Sequence, residues 1–169
     1  MAKELIVYFS RKGNNYVNGS IRDLSVGNTE VAAKILQELT GADIYQIEPV
    51  IEYDVDYNIC TEEAKGDKKA NARPEFKNPP NTIELYDLIY LMFPNYWGTM
   101  PMHVWTFLEK YDFTGKTIKP FCTHEGSRMG SSESDIRKLC PAAKVKKGLA
   151  VHGGSVGMSK AEIEQWISD

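Results

Sequence analysis

A chain of 169 residues with 42% hydrophobic side chains can bury one sizeable core, so a single domain spanning 1–169 is the expectation. A net charge of -3 argues against nucleic acid or an anionic membrane as the main partner, since both select a basic face. No apolar run approaches the ~20 residues of a membrane span, and Met1 to Phe9 enters a strand pattern without a signal-peptide layout, so a cytoplasmic protein is expected.

Lys3 to Phe9 reads as a hydrophobic strand ending at Ser10. A long polar loop follows to Asn28, and a loop of that length inside a compact domain is uncommon and usually either functional or disordered. From Asn28 the period becomes helical: Val31, Ala32, Ile35, Leu36 and Leu39 share a face, Asn28 or Thr29 can cap the start, and Gly41 closes the end. Ala42 to Glu48 is a second strand, stopped by Pro49. Tyr57 to Ala72 has helical composition, weakened by Gly66, and 73–80 with its prolines is extended.

Leu88 to Phe93 is a continuous apolar run of strand length ending at Pro94, which suits a strand buried on both faces. Pro101 opens a helix with Val104, Phe107, Leu108 and Tyr111 on its inner side. Thr117 to Thr123 is a further strand. Ser132 with Asp135 predicts a capping box for a helix carrying Ile136, Leu139 and Cys140. Val145 to Val151 is the fifth strand, and Ser159 with Glu162 predicts another capping box for a terminal helix anchored by Ile163, Trp166 and Ile167.

Strands alternating with helices specify an α/β three-layer sandwich: a five-stranded parallel sheet with helices on both faces, joined by right-handed crossovers. In order 2-1-3-4-5 the winding reverses between the first and third strands, where ligands bind beyond the C-terminal strand ends. Loops 10–28, 94–100 and 124–130 converge there. They carry glycines, hydroxyls and aromatics. Tyr96 and Trp97 beside Gly98 suit a flat ligand, with either ring as the stacking partner and Tyr96 the first choice. The helix start after the first loop favours an anion, with Ser10, Asn28 and Thr29 as donors and Gly27 permitting close approach. The nucleotide-hydrolase and dinucleotide glycine fingerprints are both absent, so one terminal phosphate on a flat ring fits better than ATP or NAD.

The three cysteines, Cys60, Cys122 and Cys140, are far apart and suit neither a disulfide framework nor zinc; Cys122 and Cys140 read as small core residues. His103, His124 and His152 lack metal-binding spacing, and no metal is expected.

Leu-Ile-Val-Tyr-Phe-Ser-Arg, Gly-Asn-Thr-Glu-Val-Ala-Ala-Lys-Ile, Phe-Pro-Asn-Tyr-Trp-Gly-Thr-Met-Pro and Phe-Cys-Thr-His-Glu-Gly-Ser together resemble the bacterial FMN-binding flavodoxins, along the whole chain. Flavodoxin is itself the standard example of the 2-1-3-4-5 order with FMN at the switch point. The resemblance implies a flavodoxin-like fold in which Ser10, Arg11, Asn28 and Thr29 hold the phosphate, and Pro94, Asn95, Tyr96, Trp97 and Gly98 line the isoalloxazine. It places Thr123, His124, Glu125, Gly126 and Gly130 at the ring's polar edge. It further implies a monomeric one-electron carrier, with a reductase as donor and an acceptor enzyme as redox partners. About a dozen residues separate Ser10–Asn14 from Gly27 where the family has a short turn; either Gly13-Asn14 or Gly27-Asn28 fits that turn, with Asn28 and Thr29 favoured because the helical period starts there, leaving 14–26 as an insertion over the cofactor or toward a partner.

The nearest rival is an FMN-dependent NAD(P)H:quinone or flavin reductase of the same fold. A receiver domain is excluded because Phe9-Ser10 and Phe93-Pro94 stand where it needs acidic residues. Gly153-Gly154-Ser155-Val156-Gly157 matches a hydrolase elbow, yet no histidine follows it to complete a triad.

Overall fold

The computed structural model describes residues 3–169. Its main sheet contains β1 (Glu4–Tyr8), β4 (Asp43–Gln46), β5 (Leu88–Pro94), β6 (Thr117–His124), β7 (Lys144–Val145) and β8 (Leu149–His152), all pairing in parallel. The order is β4-β1-β5-β6, with β7 and β8 sharing the far edge of β6. This is the expected 2-1-3-4-5 winding with the fifth strand in two pieces. Helices α1 (Asn28–Thr40), α2 (Tyr57–Lys69), α3 (Met102–Lys110), α4 (Ser132–Leu139) and α5 (Lys160–Ser168) provide the outer layers.

Side chains alternate across the sheet because successive strand residues point to opposite faces. Leu5, Val7, Ile89, Leu91 and Phe93 pack with Val104, Phe107 and Ile136 of α3 and α4. Ile6, Tyr8, Tyr90, Met92 and Phe121 pack with Ala32, Leu36, Ile163 and Trp166 of α1 and α5. Cys122 and Cys140 are buried in the first of these clusters. No helix among the described residues is long and apolar enough to cross a membrane.

Four local expectations are corrected. The first loop is not structureless: β2 (Gly13–Val17) and β3 (Ser20–Leu24) form an antiparallel hairpin. Its turn is Asn18-Gly19, with φ of 52° and 84°, the left-handed pair that matches strand twist. The fifth strand is interrupted at 146–148. Lys146 N–H donates to Ile118 O, so Ile118, Pro120 and Cys122 present their backbone to this neighbour, and Pro120 has no N–H to give. Gly148 N–H bonds the Glu133 carboxylate instead.

Neither capping box forms. Asp135 accepts from the hydroxyls of Thr99 and Ser131, while Ser132 Oγ donates to Met129 O and Ser159 Oγ to Val156 O. The start of α1 is likewise not capped by Asn28 or Thr29. Gly27 occupies the cap position, and Ser10 Oγ accepts the Glu30 N–H from another segment at 3.0 Å. The hydrolase-like string, already set aside for want of a following histidine, lies in a 3-10 helix over Gly153–Met158 beyond β8.

Candidate functional site

A cavity of about 370 Å³ lies beyond the C-terminal ends of β1, β5, β6 and β8. That is within the roughly 300–1,000 Å³ of ordinary small-molecule sites.

One wall is the connection after β5. Tyr96 and Thr99 exchange backbone hydrogen bonds at 2.8 and 3.3 Å, closing a two-residue turn with Trp97 at φ 56° and Gly98 at φ 85°. A bulky side chain in the left-handed region is unusual, and such strain is concentrated at ligand sites. The turn is held from several sides. Asn95 Oδ1 accepts the Gly98 N–H and Asn95 Nδ2 donates to Arg128 O, both at 2.8 Å. Ser131 N–H donates to Gly98 O at 2.7 Å. Gly130 allows that approach, because a Cβ there would lie 2.2 Å from Gly98 O.

The two aromatics of this wall differ. Tyr96 packs edge-on against Phe9 with centroids 5.8 Å apart, and its hydroxyl is buried without a partner. Burial drives its pKa far above the ordinary phenol value. Trp97 is 44% exposed at the cavity mouth. Its indole N–H donates to Thr61 O at 2.8 Å, and the Lys65 ammonium stands 5.2 Å from its ring centre.

The opposite end is the start of α1, where helix N–H groups lack intrahelical acceptors and the dipole is positive. Gly27 brings this end against the first connection, since a Cβ would lie 2.2 Å from Ser10 Oγ and 2.6 Å from Arg11 O. Thr29 Oγ1 lies 2.8 Å from Thr123 Oγ1, joining the helix to β6. Arg11 lines the cavity while its guanidinium braces the backbone carbonyls of Asn14, Asp54 and Val55 at 3.0, 2.9 and 3.1 Å.

The third side is the connection after β6. His124 Nδ1 accepts the Gly126 N–H at 2.8 Å, and Glu125 Oε1 accepts the Asn18 N–H at 2.8 Å. Partial burial, with His152 and Arg128 nearby, holds the His124 pKa below the ordinary imidazole value against the opposing pull of Glu125.

Of the residues singled out in the sequence, Arg11, Asn28, Thr29, Thr123, His124 and Glu125 border the cavity, as do all of Pro94 to Gly98. Ser10, Gly27, Gly126 and Gly130 do not line it; they buttress the segments that do. Sequence reasoning missed Asn15 and Tyr16 of the hairpin, Tyr57, Cys60, Thr61 and Ala64 of α2, and the loop residues Ser127 and Gly153. The Asn18-Gly19 dipeptide was a usable signal for the hairpin. The α2 residues carry no such signal, because only the crossover path brings them to the mouth.

Comparison with known proteins places these features in context. A family model described as flavodoxin matches residues 21–169. A solved flavoprotein of Bacteroides uniformis, itself described only provisionally, is 27% identical, with 99% of each chain covered and a TM-score of 0.77. A similarly described structure from Bacteroides eggerthii is 27% identical over 99% of this chain and 97% of that one, with a TM-score of 0.79. A Lactobacillus acidophilus flavoprotein, described as a complex with FMN, shares the fold at 20% identity and a TM-score of 0.66, covering 99% of both chains. No curated protein matches.

Proposed function

The chain belongs to the flavodoxin family, and on that premise we propose that its cavity holds FMN and that the protein carries electrons between redox proteins. The observation that supports this most is the meeting, around one cavity, of a helix N-terminus with a strained aromatic turn. An anionic tail and a flat ring need those two ends.

In this reading the α1 N–H groups, with the side chains of Asn28 and Thr29, hold the phosphate, while Ser10 and Gly27 fix the helix end behind them. Tyr96 and Trp97 flank the ring, and Thr123, His124 and Glu125 meet its polar edge. Bound FMN supplies the redox chemistry, and the protein tunes it through stacking, hydrogen bonds and charge. The chain's net charge of -3 opposes added negative charge, which lowers the reduction potential. The donor is a reductase and the acceptor a second redox enzyme, each meeting a cytoplasmic monomer.

The test is the visible spectrum of the purified protein, with the released cofactor identified by mass, followed by reduction assays. A yellow protein that bleaches with NADPH only when a flavodoxin reductase is added supports the carrier. Rapid bleaching by NADPH alone assigns it to the quinone or flavin reductases of the same fold. A protein that stays colourless after incubation with FMN defeats both readings.

A further inference from the structure

Two adjacent parallel strands end in the same three-residue device. β6 closes on His124-Glu125-Gly126 and β8 on His152-Gly153-Gly154, with His124 opposite His152 in the register. In each, the glycine two residues on donates its N–H to the histidine Nδ1, Gly126 at 2.8 Å and Gly154 at 3.3 Å. A nitrogen that accepts carries no proton, so each neutral ring keeps its single proton on Nε2. The two rings meet edge to face with centroids 5.8 Å apart.

The segments shaped by these turns grip the hairpin tip. Glu125 lies inside the first turn and accepts the Asn18 N–H at 2.8 Å. Gly154, the donor of the second turn, sits so close that a Cβ there would be 2.2 Å from Asn18 Oδ1. Gly153 backs onto Glu125, where a Cβ would be 2.5 Å from Oε2. The same hairpin contributes Asn15 and Tyr16 to the cavity wall. Where its tip is anchored therefore determines where that wall stands.

We propose that His124 and His152 are positioning residues whose unprotonated Nδ1 atoms clasp the hairpin tip onto the end of the sheet, and that protonating them releases the tip and opens the cavity. A second proton can enter either ring only at Nδ1, where it would confront a glycine N–H. The turn must then break. The charged groups facing the pair are Glu125, 3.7 Å from His152 Nε2, and Arg128, together with each other. From the hairpin and α1, the uncharged Asn18 and Asn28 stand against Gly154 and Gly153. One carboxylate cannot balance two imidazolium rings and a guanidinium at this distance. Partial burial, with His152 and Arg128 nearby, holds the His124 pKa below the ordinary imidazole value, so its turn is closed at neutral pH and is lost as pH falls below that range.

The proposal rests on the FMN reading only for its kinetic test; its geometry is tested on the protein without cofactor. In that form, ring nitrogen spectra at pH 8 should show both histidines as the Nε2–H tautomer, and the Gly126 and Gly154 amide signals should move with the imidazole titrations. An Nδ1–H tautomer in either ring overturns the clasp. With FMN, the dissociation rate should rise at least fivefold from pH 8 to pH 5. The rise should be smaller in the His124→Asn, His152→Asn double variant, because an Asn oxygen accepts the same glycine N–H without titrating, and what remains comes from protonation of the phosphate itself. A flat rate in the native protein, or an equal rise in the double variant, overturns the proposal. Failure of the native protein to bind FMN at pH 8 defeats the cofactor reading and leaves the tautomer measurement to decide the clasp.

Discussion

Thr29 Oγ1 and Thr123 Oγ1 lie 2.8 Å apart, both buried, and this single contact pins the first turn of α1 to the end of β6. It spans the two sides of the cavity. Replacing either threonine by valine leaves the other hydroxyl buried and unpaired, which costs about 1–3 kcal/mol, whereas replacing both costs less than the sum. Urea denaturation of the two single variants and the double variant measures the coupling; additive losses would show that the contact is not formed in solution.

His103 is buried with its Nδ1 unpaired, and burial holds its pKa down at about 4. The unfolded chain takes up the proton near pH 6.5 and the folded one only near 4, so stability is complete above 6.5 and falls as pH drops between the two. At about 1.4 kcal/mol per pH unit the loss is about 3 kcal/mol. Denaturation at pH 7 and pH 4.5 should show a smaller loss in His103→Leu than in the native protein; equal losses would remove this residue from the acid response.

All three cysteines are free and buried, and burial raises each thiol, Cys122 and Cys140 to about 12. Only Cys60 among them borders the cavity. Iodoacetamide should therefore label Cys60 slowly, and bound FMN should block it, while the other two react only on unfolding. Peptide mass mapping with and without FMN reads this directly. Labelling of Cys60 that FMN leaves unchanged would contradict the assignment of the cavity.

Gly130 has φ 55°, and a Cβ would collide with the Gly98 carbonyl at 2.2 Å. Gly130→Ala should destabilise by about 2–3 kcal/mol and loosen the aromatic turn. Gly157 has open space around it, so Gly157→Ala should stay within about 0.5 kcal/mol. Thermal melts of the two variants make the comparison.

Tyr96 and Trp97 are flat side chains of the cavity wall on the connection after β5. Tyr96→Ala and Trp97→Ala should each weaken FMN at least tenfold, about 1.4 kcal/mol, in a fluorescence titration. Tyr96→Phe removes an unpartnered buried hydroxyl and should keep or raise the stability of the cofactor-free protein by about 1 kcal/mol. Unchanged affinity in both alanine variants would remove stacking from the account.

The winding was legible in the sequence because apolar runs such as Leu88 to Phe93, bounded by proline and alternating with helical periods at Val31 to Leu39, have few packing solutions. The cavity-facing connections followed from that winding. Local chemistry was less reliable. Ser132 and Asp135 have capping-box spacing, yet Thr99 and Ser131 reach the carboxylate, because hydroxyls from other segments compete for it. Pro120 inside a strand marked the break at 146–148, and Asn18-Gly19 marked the hairpin; both signals were present but outweighed by the apolar and polar runs around them.

By itself, then, the order of residues determined the sheet, its helical layers and the end at which a ligand can enter, since these depend on periodicities that each segment carries alone. Only the folded chain decided that Tyr57, Cys60 and Thr61 join the cavity, that Ser10 supports α1 from behind, and that two histidine turns meet at Asn18. Such contacts link residues tens of positions apart, and no local propensity encodes which distant hydroxyl, carboxylate or backbone N–H will be nearest once the helices have packed.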